Sequence, residues 1–320
     1  MIYLPNTRAA CTTLTRLGIL PCAQSLALVR RRFSDDGHLG PLIKDDYAKL
    51  REFYHRPQSP IVLAHGLLGF DELHVGGRYL PGFQYWRGIV EAFNNRGIQA
   101  ITASVPASAT IEERAMKLCK DIEQKAAGRA VNIIAHSMGG LDARYLISGI
   151  KPSNIQVLSL TTISSPHHGS TFADYIFSQI GEARLPKIYK MLEKLSLETG
   201  AFRQLTRQYM QEHFNPSVPN SEGVRYFSYG AATTHGNWSA FKASNDILTE
   251  AEGPNDGLVS VSSSKWGEYK GTLIEVSHLD LINWTNRLRW MIWETLGKKR
   301  EFNAVAFYLS IADMLATEGL

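Results

Sequence analysis

One stretch limits the choice of fold more than any other. The apolar run Val131-Asn132-Ile133-Ile134-Ala135 passes without a spacer into His136-Ser137-Met138-Gly139-Gly140, and helical text follows to Ile147. A run this short and this apolar reads as a strand covered on both faces, which belongs in a parallel sheet. The turn after it must be tight, because strand and helix meet within two or three residues. Gly139 and Ala135 are small where a larger side chain would crowd a serine thrust outward between the two elements. Elsewhere the text keeps the same rhythm: residues 61–64, 98–103, 157–163, 224–231 and 273–276 read as strands, and 83–96, 111–127 and 279–296 as helices. Such alternation predicts a mostly parallel central sheet with helices on both faces. Residues 170–214 break the rhythm, with no strand candidate and with apolar residues at helical spacing over 172–180 and 188–197, and predict an inserted helical cap or lid.

The formal net charge of +4 misleads until its distribution is examined. Arg8, Arg16, Arg30, Arg31 and Arg32 lie in the first 34 residues with no acidic residue among them, so the remainder carries −1. A body of that charge offers no electrostatic footprint for nucleic acid. The Arg-, Thr- and Leu-rich, acid-free leader reads as a mitochondrial transit peptide over 1–34, followed by one domain over 35–320. A secretory signal is the alternative, but arginines occupy the place of its small-residue cleavage site, and Pro21 breaks the apolar segment 17–29. No window reaches the length of a spanning helix. Cys11 and Cys22 belong to the leader, and Cys119 alone forms no internal disulfide, which suits a reducing compartment.

A serine hydroxyl attacks a carbonyl only with a base in reach and a carboxylate behind that base. Ser137 sits in the required strand, turn and helix. Asp256 stands in the turn Pro254-Asn255-Asp256-Gly257 after a strand candidate, and His278 lies between the strand candidate 273–276 and the helical text after it. Each of the two alone reads as an ordinary loop residue; together, in the order serine, acid, histidine, they predict a catalytic triad. Two amides must face the oxygen that becomes negative. Met138, next after the nucleophile, supplies one, and Leu67 in the loop His65-Gly66-Leu67 after the first strand supplies the other. Their side chains are then free to line an acyl pocket. His136 is expected to pack behind the site, His65 to brace its loop, and Asp142 to pair with Arg144 or solvent. Asp246 and Asp280 are rival acids, and at most one of His167 and His168 is expected to touch the site.

With these motifs in place, the chain resembles the bacterial true lipases of the Pseudomonas type and, more closely, the mitochondrial triacylglycerol lipases of yeasts. The likeness rests on the segments 60–71, 135–142, 161–170, 255–259 and 278–280, and extends to 111–115, 263–269 and 282–284. It implies the α/β-hydrolase fold, Ser137, Asp256 and His278 as nucleophile, acid and base, Leu67 and Met138 as the oxyanion hole, and 170–214 as the lid. It also implies a lipid substrate, met at a lipid or membrane surface, and triacylglycerol hydrolysis as the activity. An acyltransferase, thioesterase or phospholipase would use the same triad, and a catalytically dead binding module is the remaining alternative. The bacterial lipases hold a structural calcium near the catalytic histidine. Of its ligand positions only Asp280 is kept here, because 233–237 has no carboxylate and Trp284 replaces an amide. One carboxylate is a thin site for a cation that takes six or more oxygens, so no metal or cofactor is expected.

Overall fold

The computed structural model describes residues 39–44, 46–67, 85–107, 109–179, 199–234, 241–284 and 302–320. All but Leu39 fall within one compact unit, Gly40–Leu320. Its strands are β1 (Leu42–Ile43), β2 (Ile61–Ala64), β3 (Ala100–Thr102), β4 (Val131–His136), β5 (Val157–Ile163), β6 (Arg225–Ala232) and β7 (Glu268–Ile274). They form one sheet in the order β1-β7-β6-β5-β4-β2-β3, with every pairing parallel. The helices that bear on the argument are α1 (Ile89–Asn94), α2 (Ile111–Ala126), α3 (Gly139–Tyr145), α4 (Thr171–Gln179), α5 (Thr199–Gln204), α6 (Lys242–Glu252) and α7 (Ala304–Thr317).

Alternation along each strand sends side chains to two separate cores. Ile61, Leu63 and Ile134 join α1 and α7 on one face, through Ile89, Phe93, Phe307 and Ile311. Val62, Ala64, Ile133 and Ala135 join α2 and α3 on the other, through Leu118, Ile122 and Ala143. This two-sided burial is why β2 and β4 are continuous apolar runs. Thr110 starts α2 with a capping box: its side chain accepts the Glu113 amide while the Glu113 carboxylate accepts the Thr110 amide. Between β5 and β6, every described element over 171–217 is helical, and Ala173, Ala201, Leu205, Met210 and Phe214 from this insertion pack with Met138 and Leu141.

Several expectations from sequence need correction. The helix expected over 83–96 starts at Ile89, because Gly88 holds a left-handed φ of 76° that only glycine adopts cheaply; residues 83–84 lie outside the described set. No continuous helix runs from Leu279, since a single 3₁₀ turn, Asp280–Ile282, ends at Asn283 with φ 60°, and 285–301 lie outside the described residues. The helix expected at 188–197 also lies outside them. Short β1, α6 and α7 went unread. Finally, Asp142 pairs with Arg114 rather than Arg144: Arg114 reaches its Oδ2 at 2.8 to 2.9 Å across the gap between α2 and α3, with both side chains at most 1% exposed. Arg144 lies one side chain too far around the helix, facing the Trp266 ring.

A buried pair of this kind is fragile to the loss of one member, because the other charge is left in the core. Arg114→Met should therefore cost about 3–5 kcal/mol, and adding Asp142→Leu should recover a large part of it. Urea denaturation of the two variants checks the ordering.

Candidate active site

The site follows from strand register. Ala64 in β2 pairs with Ala135 in β4, so the loop leaving β2 emerges beside the turn leaving β4, at the carboxyl edge of the sheet. The approach is close enough to dictate glycine on both sides. A Cβ on Gly66 would sit 2.6 Å from Ser137 Cβ, and one on Gly139 would sit 2.6 Å from the Ala64 carbonyl oxygen and 2.7 Å from that of His65. Ser137 itself is bent into the left-handed region at φ 56°. Strain of that kind costs of the order of 1–3 kcal/mol and persists only where the surroundings enforce it. Here the Ser137 amide donates to the Ile163 carbonyl at 3.0 Å, and its own carbonyl accepts the Gly140 amide at 3.1 Å.

Asp256 is wholly buried. Its Oδ1 accepts the amides of Leu258 and Val259 at 2.9 and 2.8 Å, while Oδ2 accepts His278 Nδ1–H at 2.6 Å. The main chain repeats the link, with the His278 amide donating to the Asp256 carbonyl at 3.0 Å. This arrangement leaves Nε2 of His278 as the proton acceptor. The His278 ring lies 4.5 Å from that of His136, the residue before Ser137, so the imidazole stands at the elbow. Among the described residues no hydrogen bond joins Ser137 Oγ to His278; such contacts commonly close only when substrate is bound. Met138 is fully buried, and its side chain and that of Leu67 share the apolar cluster beneath the helical insertion.

Three buried histidines near the site, His65, His136 and His167, act as props and are held neutral by burial. His65 Nδ1–H donates to the Gly66 carbonyl at 3.0 Å and Nε2 accepts the Val105 amide at 3.2 Å, which braces the loop as expected. Burial first and the Arg114 charge second bring its pKa down to about 4. Burial likewise pulls His136 and His167 well below the usual histidine range. His167 bonds to Thr162 and Arg144, behind the sheet edge rather than at Ser137. Asp246 is exposed and paired with Lys242, and Asp280 accepts the Ser277 amide and hydroxyl, so neither rival acid meets His278. No group of three or more His, Cys, Asp or Glu gathers as a metal would need among the described residues. Sequence reasoning missed Tyr85 and Arg114. Tyr85 Oη accepts the Gly66 amide and contacts His136 Nδ1, and Arg114 donates to the His65 carbonyl. Both fell inside segments read only as helices, 83–96 and 111–127, where nothing singled them out.

Comparison with known proteins agrees with this geometry. Residues 60–283 match the family described as palmitoyl protein thioesterase. Triacylglycerol lipase 2 of Saccharomyces cerevisiae is 39% identical over 321 residues, spanning 86% of this chain and 96% of its own. The chain belongs to this lipase and thioesterase family. A triacylglycerol lipase of Vibrio cholerae is 29% identical over 74% of this chain and 83% of its own. The mature lipase of Bacillus licheniformis, 21% identical, shares the fold with a TM-score of 0.58 over 78% of this chain and 96% of that one. Membership makes the chain a carboxylic ester hydrolase of the serine type with the α/β-hydrolase fold.

The neutral histidines set a pH dependence. Above pH 6.5 both folded and unfolded His65 are neutral and folding is unpenalised. As pH falls from 6.5 toward 4, the unfolded chain takes up a proton that the folded one refuses, and stability is lost. Thermal denaturation between pH 7 and 4 should show Tm falling through this window, and His65→Gln should flatten the fall.

Proposed function

We propose that this protein is a triacylglycerol lipase, releasing a fatty acid from triacylglycerol to leave diacylglycerol, with Ser137 as nucleophile, His278 as base and Asp256 as the acid that orients it. The observation carrying the reading is the buried Asp256–His278 pair standing beside a serine held at φ 56°. Ser137 Oγ attacks the ester carbonyl as His278 Nε2 takes its proton; the carbonyl oxygen, now negative, meets the amides of Leu67 and Met138. Collapse breaks the bond to the glyceride oxygen, which takes the proton from His278. Water, deprotonated by His278, then cleaves the acyl-serine. Asp256 keeps the imidazole in the tautomer with Nε2 free and stabilises its charged form.

The names of the relatives support triacylglycerol as substrate. The apolar cluster of Leu67, Met138 and Leu141 supports an acyl site next to the amides, covered by α4, α5 and the turns to Phe214. We take 170–214 to be a lid that exchanges this apolar cover for a lipid surface, and the arginine-rich segment 1–34 to direct the chain to mitochondria. The family description favours a second reading, cleavage of a palmitoyl thioester, which the same acyl-serine chemistry serves.

A hydrolysis panel of triacylglycerol, diacylglycerol, phospholipid and palmitoyl thioester separates these readings, with Ser137→Ala as control. Triacylglycerol should give the highest kcat/KM, Ser137→Ala should lower it at least about 10⁴-fold, and Asp256→Asn by about 10³- to 10⁴-fold. Equal turnover by Ser137→Ala would remove the serine mechanism, and preference for the thioester would favour the second reading.

A further inference from the structure

We infer that the Tyr85 hydroxyl and the His136 imidazole are a positioning pair that holds the loop carrying the Leu67 amide and the ring of His278 in one frame around Ser137; the inference rests on the roles assigned above. Tyr85 is buried, with its ring 4.9 Å from Trp86 and 5.4 Å from His65. Its oxygen accepts the Gly66 amide at 3.1 Å and lies 2.6 Å from His136 Nδ1. A phenol has one proton, and a buried O–H needs an acceptor. The only arrangement that satisfies all three groups has Gly66 N–H donating to the phenol and the phenol donating to Nδ1. His136 is then the neutral Nε2–H tautomer. That nitrogen meets no hydrogen-bond partner among the described residues.

Two consequences reach the reacting atoms. The Gly66 amide is committed to Tyr85, so it cannot serve the oxyanion, and the next amide, Leu67, is the one the loop can present. Because Gly66 lies against Ser137 with no room for a Cβ, a small slip of this residue changes the distance between nucleophile and donor. On the other side, His136 packs 4.5 Å from the ring of His278, which becomes a cation in each transition state. A neighbour fixed as neutral imidazole spares that cation a like charge. Tyr85 thus acts through other groups, on the transition state rather than on substrate binding.

The test uses Tyr85→Phe, which keeps the ring and removes the hydroxyl, together with His136→Leu, His136→Gln and the double variant Tyr85→Phe/His136→Leu. The substrate is p-nitrophenyl butyrate, and kcat is expressed per serine titrated with a fluorophosphonate, so that misfolded protein drops out. Tyr85→Phe and His136→Leu should each lower kcat about tenfold or more with KM within about twofold, the pattern of a lost transition-state interaction. His136→Gln, which restores an acceptor, should recover most of the loss, and the double variant should be no slower than the slower single, since both cut one chain. The inference is overturned if Tyr85→Phe keeps kcat within about twofold, if His136→Gln is as slow as His136→Leu, or if the two losses multiply. Should Tyr85→Phe give no titratable enzyme, the His136 pair decides by the same comparison. Failure of the wild type to label, or labelling of Ser137→Ala, would strike the site assignment itself rather than this inference.

Discussion

The pairing of Ala64 with Ala135 is the constraint on which the remaining geometry depends. Because the two strands are parallel and in that register, both chains leave the sheet at the same height, and the backbone of 65–67 must pass the bend at 137 within contact distance. Glycine at 66 and 139 is what makes that passage feasible. The strained φ of Ser137 is then imposed by its surroundings. Its amide is tied to Ile163 on the opposite neighbour, β5, so the serine is gripped between the strands on either side of β4. A one-residue slip in β2 would reverse which side chains face each core and would separate the loop from the bend at once.

Around this backbone frame the charges are sorted by burial. Asp256 lies in the interior with two amides and His278 to satisfy it, whereas His65, His136 and His167 are held neutral by desolvation. A second buried carboxylate near the frame, Asp142, is paired with Arg114, which also donates to the carbonyls of Pro106 and His65. Burial still pushes Asp142 up to about 6, a sign that the pair does not fully offset its removal from water. The Arg114 link connects α2, α3 and the loop after β2, so packing of two helices on the sheet is transmitted to the residue preceding Gly66.

What could be read from the text and what could not divide along physical lines. Strands buried on both faces, the elbow and the order of Ser137, Asp256 and His278 are local patterns: apolar runs, small residues at tight turns, and loops after strands. The partners of Tyr85 and Arg114 are not local. Their contacts join residues 19, 51, 28 and 49 positions apart, and nothing in a helical period marks which polar atom on a packed face finds a partner across the core. The short edge strand β1 escaped for a different reason, since two residues carry no periodicity. α7 escaped because it is apolar nearly all round, with Phe307, Tyr308, Leu309 and Ile311 all buried, and such text lacks the amphipathic stripe by which helices are recognised.

Arg144 bears on how the insertion between β5 and β6 is mounted. It is a buried cation that meets no carboxylate among the described residues; burial brings its pKa down to about 9, which still leaves it charged near neutrality. Its compensation is diffuse: the side-chain oxygen of Asn215, the Val218 carbonyl, His167, and the face of Trp266 at 3.5 Å. Asn215 and Val218 stand where the insertion returns to the sheet. At the other end, the Ser170 amide donates to the Leu205 carbonyl and the Thr171 amide to Glu252. Both ends are thus pinned by buried or charge-assisted bonds. Under the lid reading, motion must therefore arise between these anchors and not as a hinge at either root. The apolar residues that such motion would uncover, Ala201 and Met210, are among those packed over Met138, next to the serine that the proposed chemistry uses.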